Sequence, residues 1–208
     1  MLFLFIMQQT KIQFLQAELE LVLSPDIILT KNAILQKIKS FFEEVQPKQQ
    51  EILSMYSSRL PMEVLKISPK ISRGENYKGL PWLVLDNPRH FEHKNIFAIR
   101  TMFWWGNFFS VTLHISGRYK NDLSEKLFNN IVSATDHDLM IYDGEKEWEH
   151  DLDPAFYKYV KDLNDTELKD AFRRNAFLKI AIQCKIDSLS VVEDELCRNY
   201  GLLIKCCC

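Results

Sequence analysis

The sequence predicts a single α+β domain, soluble and intracellular, built around an antiparallel meander sheet of about five strands flanked by N-terminal and C-terminal helices. Three observations lead there. Apolar stripes with helical spacing occupy both ends of the chain, strand patterns joined by turn dipeptides occupy the middle, and strands do not alternate with helices as a parallel α/β fold requires. The expected order is a helical part over 1–59, a sheet region over 60–153 and a helical part over 154–208, all within one domain spanning 1–208. Apolar residues make up 47% and charged residues 26% of the 208, which fills one core and fits neither disorder nor a fibrous repeat.

Met1 to Met7 are strongly apolar but far short of the ~20 residues a spanning helix needs, and no basic or cleavage-site pattern marks a secretory signal. The stretch reads as an apolar lead-in docked on the core, or as an extension ahead of a start codon further in. Leu15, Leu19 and Val22 suggest a short helix. Ser24-Pro25-Asp26 is a helix start, with a capping hydroxyl, proline at the first helical position and an acid in the positive first turn. Ile27, Ile34, Ile38, Phe41 and Val45 continue it as one stripe, and Pro47 is expected to break or kink it.

From Leu60 to Gly79 prolines, glycines and basic residues suggest a connecting loop, followed by a short strand from Trp82 to Asp86 that Asn87-Pro88 ends. Residues 96–117 carry the strongest signal, two long strands joined at Gly106-Asn107. A two-residue loop would set Trp105 opposite Phe108, Phe103 opposite Ser110, Thr101 opposite Thr112 and Ile99 opposite His114. The other face would then be apolar except for Arg100 opposite Leu113. That conflict leaves three readings: an arginine reaching out at an edge, an arginine paired inside, or a register wrong by one.

A helix is expected from Leu123 to Val132. A second hairpin should follow, with Leu139–Tyr142 and Glu145–Glu149 around Asp143-Gly144. Helices then fill Pro154–Leu163 and the segments opening at Asn164 and at Ser190, each of these two with glutamate three positions on, and Gly201 is a natural stop.

A formal charge of −2 gives no global field toward nucleic acid or an anionic membrane, so neither a nucleic-acid partner nor a membrane span is expected. Five cysteines form no disulfide framework and suit a reducing cytoplasm: Cys184 and Cys197 fall in helical-looking segments, and Cys206, Cys207 and Cys208 read as a frayed tail outside any prenylation box. No cofactor motif is present. His90-x-x-His93, Asp136-His137-Asp138 and His150-Asp151-Leu152-Asp153 contain metal-ligating types at no specific spacing, and read as solvated loop ends. Gly74 to Gly79 lacks the Lys-Ser/Thr of a phosphate loop and reads as a solvated turn before a strand.

The candidate ligand-binding residues are Thr101, Trp105, Ser110, Thr112 and His114 on the polar and aromatic side of the first hairpin, with Arg73, Tyr77 and Lys78 arching near it. They favour a non-enzymatic binding or protein-interaction module taking a small molecule or a protein partner. The alternative is a hydrolase or lyase with His114 or His137 as general base beside Asp86, Asp136 or Asp138. The run from Pro69 to Arg89, followed by Arg100-Thr-Met-Phe-Trp-Trp-Gly-Asn107, resembles a group of uncharacterised bacterial hypothetical proteins. The resemblance implies a bacterial cytoplasmic protein and carries over no catalytic residue, cofactor or partner.

Overall fold

The computed structural model describes residues 12–134 and 137–208. The apolar lead-in Met1 to Met7 and Asp136 lie outside them. The chain divides into two units, up to Lys37 and from Ile38 onward. The first contains helix α1 (Gln16–Val22) and the start of helix α2 (Pro25–Met55). Among the described residues no helix is long and apolar enough to cross a membrane.

The second unit is an α+β layer structure, as the sequence predicts, on a sheet of seven strands rather than about five. These are β1 (Lys70–Tyr77), β2 (Leu80–Glu92), β3 (Asn95–Trp104), β4 (Phe108–Ser116), β5 (Met140–Tyr142), β6 (Tyr157–Tyr159) and β7 (Phe177–Cys184). Their order across the sheet is β1-β2-β3-β4-β7-β5-β6, with every pair antiparallel. Helices α3 (Met62–Leu65), α4 (Arg118–Val132), α5 (Asp165–Arg174) and α6 (Leu189–Cys206) complete the fold.

Strand alternation gives the sheet two faces of different chemistry. On the helix side β4 presents Phe109, Val111, Leu113 and Ile115, and β7 presents Leu178, Ile180, Ile182 and Cys184, all buried. Phe41 and Phe42 of α2 set their rings against Phe109 at 6.0 and 6.3 Å. This face is the main core. The opposite face mixes Phe108, Ser110, Thr112, His114, Lys179 and Ala181, all buried, and is covered by the long segment between β5 and β6.

The first hairpin forms where expected but one residue out of register: Phe103 pairs with Phe109, Thr101 with Val111, Ile99 with Leu113 and Arg100 with Thr112. The cause is the turn. Only Gly106 takes a positive φ, of 72°, so Trp105, Gly106 and Asn107 close a three-residue loop instead of the two-residue loop that needs two such residues. A shift of one exchanges the faces of β3. It removes the conflict at Arg100, which moves to the polar side, and it sends Thr101 into the core, where its hydroxyl accepts from Gln49 Nε2 at 2.8 Å.

Other differences share one origin, in that sheet pairing overrides local pattern. The basic stretch expected to be a loop contains β1, joined to β2 by a tight turn at Lys78 and Gly79 with φ of 50° and 83°. β2 runs through Asn87-Pro88 with a register shift there rather than stopping. Glu145–Glu149 is not a strand, since β5 pairs with β6 and β7 instead. Pro154–Leu163 is a strand and a short 3-10 turn rather than a helix, and Cys184 ends a strand rather than sitting in a helix. α2 continues through Pro47 because buried Val45 and Leu53 hold the turns on either side of it. α6 passes Gly201, and in place of a frayed tail Cys206 and Cys207 are buried at 3% and 0% exposure. The capping box at Asn164 and Glu167 forms as predicted.

Gly117, at φ 56°, turns the chain from β4 into α4, and a Cβ there would lie 2.5 Å from the carbonyl oxygen of Lys94. Gly117→Ala is therefore expected to lower unfolding free energy in urea by at least about 2 kcal/mol. Gly106→Ala, with the same sign of φ but open space around its Cβ, should cost only ~1 kcal/mol.

Candidate functional site

The polar face of the sheet carries a row of charged side chains set by register. Asp86 on β2 pairs with Arg100 on β3, which pairs with Thr112 on β4, while His114 on β4 pairs with Lys179 on β7. Directly paired residues share a face, so five polar side chains from four strands converge. Over them lies the segment 143–156, which has no regular secondary structure of its own.

Arg100 is the hub. Its Nε and Nη2 donate to the two carboxylate oxygens of Asp86 at 2.8 and 2.9 Å, a bidentate pair. Its Nη1 lies 3.0 Å from His150 Nε2. A guanidinium only donates, so that ring nitrogen accepts and the imidazole is neutral with its proton on Nδ1. Burial, with Lys179 and Arg100 nearby, holds the His150 pKa well below the ordinary histidine value.

Lys179 is 1% exposed and donates to the backbone carbonyls of Glu147 and Glu149, with its ammonium 5.1 Å from the Tyr142 ring centre. Burial above all, then the charge of Arg100, lowers its pKa to about 7. His114 Nε2 lies 3.0 Å from Glu147 Oε1. Its pKa falls to about 3, through burial and then the cations Lys179 and Arg100, and burial raises the carboxyl of Glu147 in turn. The imidazole is thus neutral and donates Nε2–H to Glu147.

Tyr77, at the end of β1, closes the far side. Its hydroxyl accepts from the backbone N–H groups of His150 and Asp151 at 2.7 and 3.0 Å and donates to Glu149, and burial pushes its pKa up to about 12. Lys78 pairs with Asp151 and, at 3.4 Å, with Glu149. On the outer surface Trp148 is 52% exposed, its ring 5.3 Å from His114 and 6.3 Å from Phe91, itself 39% exposed.

Of the residues singled out by sequence, Ser110, Thr112 and His114 lie on this face, and Tyr77 and Lys78 bond to its covering segment. Thr101 does not, lying in the core. Trp105 sits in the turn, half-buried, with its ring on Phe103. Arg73 pairs with Leu83 and shares the opposite face of the sheet, exposed. His150 and Asp151, expected at a solvated loop end, are part of the buried network. His114 meets Glu147 rather than any of the three aspartates expected beside it: Asp86 serves Arg100, Asp138 pairs with Lys161 at 2.6 Å, and Asp136 is outside the described residues. His137 lines a separate cavity with Lys126, Asn130 and Cys206. Sequence reasoning missed Asp86 as the partner of Arg100, together with Lys179, Glu147 and Trp148. The available signal was a cation inside an otherwise apolar strand, plain in Phe-Leu-Lys-Ile-Ala-Ile. Among the described residues no group of three or more potential ligands could hold a metal ion.

Two consequences are measurable. Arg100→Ala strands Asp86 in a site where its side chain is only 9% exposed, and should cost about 3 kcal/mol, whereas the paired change Asp86→Leu/Arg100→Met should recover most of that loss. Equilibrium denaturation of the three variants checks both. Between pH 6.5 and 3 the unfolded chain binds a proton that folded His114 refuses, and His150 adds to the loss in the same sense below pH 6.5. Stability is therefore fullest above pH 6.5 and falls on acidification through this window by about 1.4 kcal/mol per pH unit for His114. His114→Gln should make the slope shallower by one proton.

No family model, no curated protein and no solved structure matches the chain, so the meaning of this site rests on its own geometry.

Proposed function

We propose that the protein is a non-enzymatic interaction module that binds a protein partner through the segment 143–156, with Trp148 and Phe91 as its apolar anchors. The observation that carries this reading is an exposed tryptophan on an irregular segment that buried charges hold in place. Irregular segments beyond ~12–15 residues in compact domains are commonly functional, and this one falls in that range. Tryptophan is enriched among residues that dominate binding energy, and a side chain held before the partner arrives loses less entropy on binding. His114 beneath the Trp148 ring, Lys179 on the carbonyls of Glu147 and Glu149, and Tyr77 on the amides of His150 and Asp151 supply that order. The sheet face itself is filled by Arg100, Lys179 and their partners, which favours a macromolecule above the segment over a small ligand within it.

An acid–base enzyme remains the second reading because His114 and Glu147 are in hydrogen-bond contact. Its weakness is physical: a base with a pKa near 3 has little drive to take a proton at neutral pH, and Lys179, nearer the useful range, has its ammonium on two carbonyls.

A photo-crosslinking side chain at position 148 is expected to capture one recurrent protein from the source cells, while the same group at Lys158 captures none. Binding of that protein, purified, should weaken at least about thirtyfold on Trp148→Ala, equivalent to ~2 kcal/mol. Equal capture from both positions, or unchanged affinity, ends this reading.

A further inference from the structure

Apolar surface is concentrated far from this segment in sequence, between Ile12 and Ile34. Helix α1 buries no residue, and Ile12, Leu15, Leu21, Leu23, Ile28 and Leu29 are 55–90% exposed, the extremes being Ile28 at 55% and Ile12 at 90%. Ile27, Ile28 and Leu29 follow one another at the start of α2, so successive steps of ~100° spread apolar side chains over about 200° of its circumference. Eleven large apolar side chains between Ile12 and Ile34 are 36–90% exposed, a substantial share of the about 20–30 residues that each partner contributes to a stable interface.

We infer that residues 12–34 form a self-association surface whose partner is a second copy of the same segment. The surface offers both halves of such a contact. Ile12, Phe14, Leu21 and Val22 line a groove of about 570 Å³, and Ile28 and Leu29 are projecting apolar side chains of the size a groove of this kind accepts. Possession of groove and projections on one patch is what a two-fold contact requires. Charge opposes a lipid surface. Over residues 12–34 the ionisable residues are Glu18, Glu20, Asp26 and Lys31, three acids against one base, whereas interfacial membrane helices carry polar faces rich in lysine and arginine. Glu18 and Glu20 are engaged within the segment, with the Leu15 amide and the Gln16 side chain, and form a polar rim.

The test is the molar mass of the full chain by sedimentation velocity and light scattering over a wide concentration range. A dimer is expected, and Leu21→Glu with Ile28→Glu should weaken it at least about a hundredfold while the far-UV spectrum and thermal transition remain. The milder pair Leu21→Gln with Ile28→Gln should fall between. A wild-type chain monomeric at every concentration overturns the inference, as does a dimer indifferent to both pairs. A monomer that sediments with phosphatidylcholine or phosphatidylserine vesicles overturns it in favour of a membrane.

Discussion

Lys179 stands inside the protein with its ammonium on two backbone carbonyls and two tyrosine rings at its sides. Taking such a group out of water costs several kcal/mol before any contact is counted, and only closely placed acceptors offset it. Those acceptors belong to the segment 143–156, so the segment cannot leave the sheet without exposing the lysine's burial as a loss. Arg100 works the same way through His150, and burial, then the two cations, keeps the neighbouring imidazoles neutral. An irregular stretch that would otherwise have little to hold it is thereby fixed by charge.

This arrangement depends on register more than on composition. One added residue in the turn after Trp104 places Arg100 on the side of Asp86 and His150, and the opposite choice would drive a guanidinium among Leu113 and Val111. The apolar side chains of β4 and β7 and the charged row behind them are therefore two outcomes of the same pairing. The helices secure one face by burial, and hydrogen bonds secure the other.

Much of this was legible in the sequence. The helical ends, the long central hairpin and the α+β class follow from periodicity and turn residues, because those signals are local. Arg100 within an apolar run already marked the place where the simple register fails. What stayed hidden depends on partners distant in sequence. β1 and β6 are polar stretches that become strands only because β2 and β5 lie beside them, and His150 and Asp151 have the composition of a solvated loop until Tyr77 and Arg100 reach them. Lys179 was the strongest overlooked mark, since a lone cation in a buried strand demands an acceptor that periodicity cannot name.

The rims of the sheet bear on how the molecule meets its own kind. β6 is three residues long, and β1 carries Lys70, Arg73 and Glu75 with an irregularity between Gly74 and Tyr77. Brief, charged or kinked borders are poor templates for a further strand. Among the described residues the sheet thus ends at seven strands, and stacking end on end into fibrils is discouraged by the outermost strands themselves.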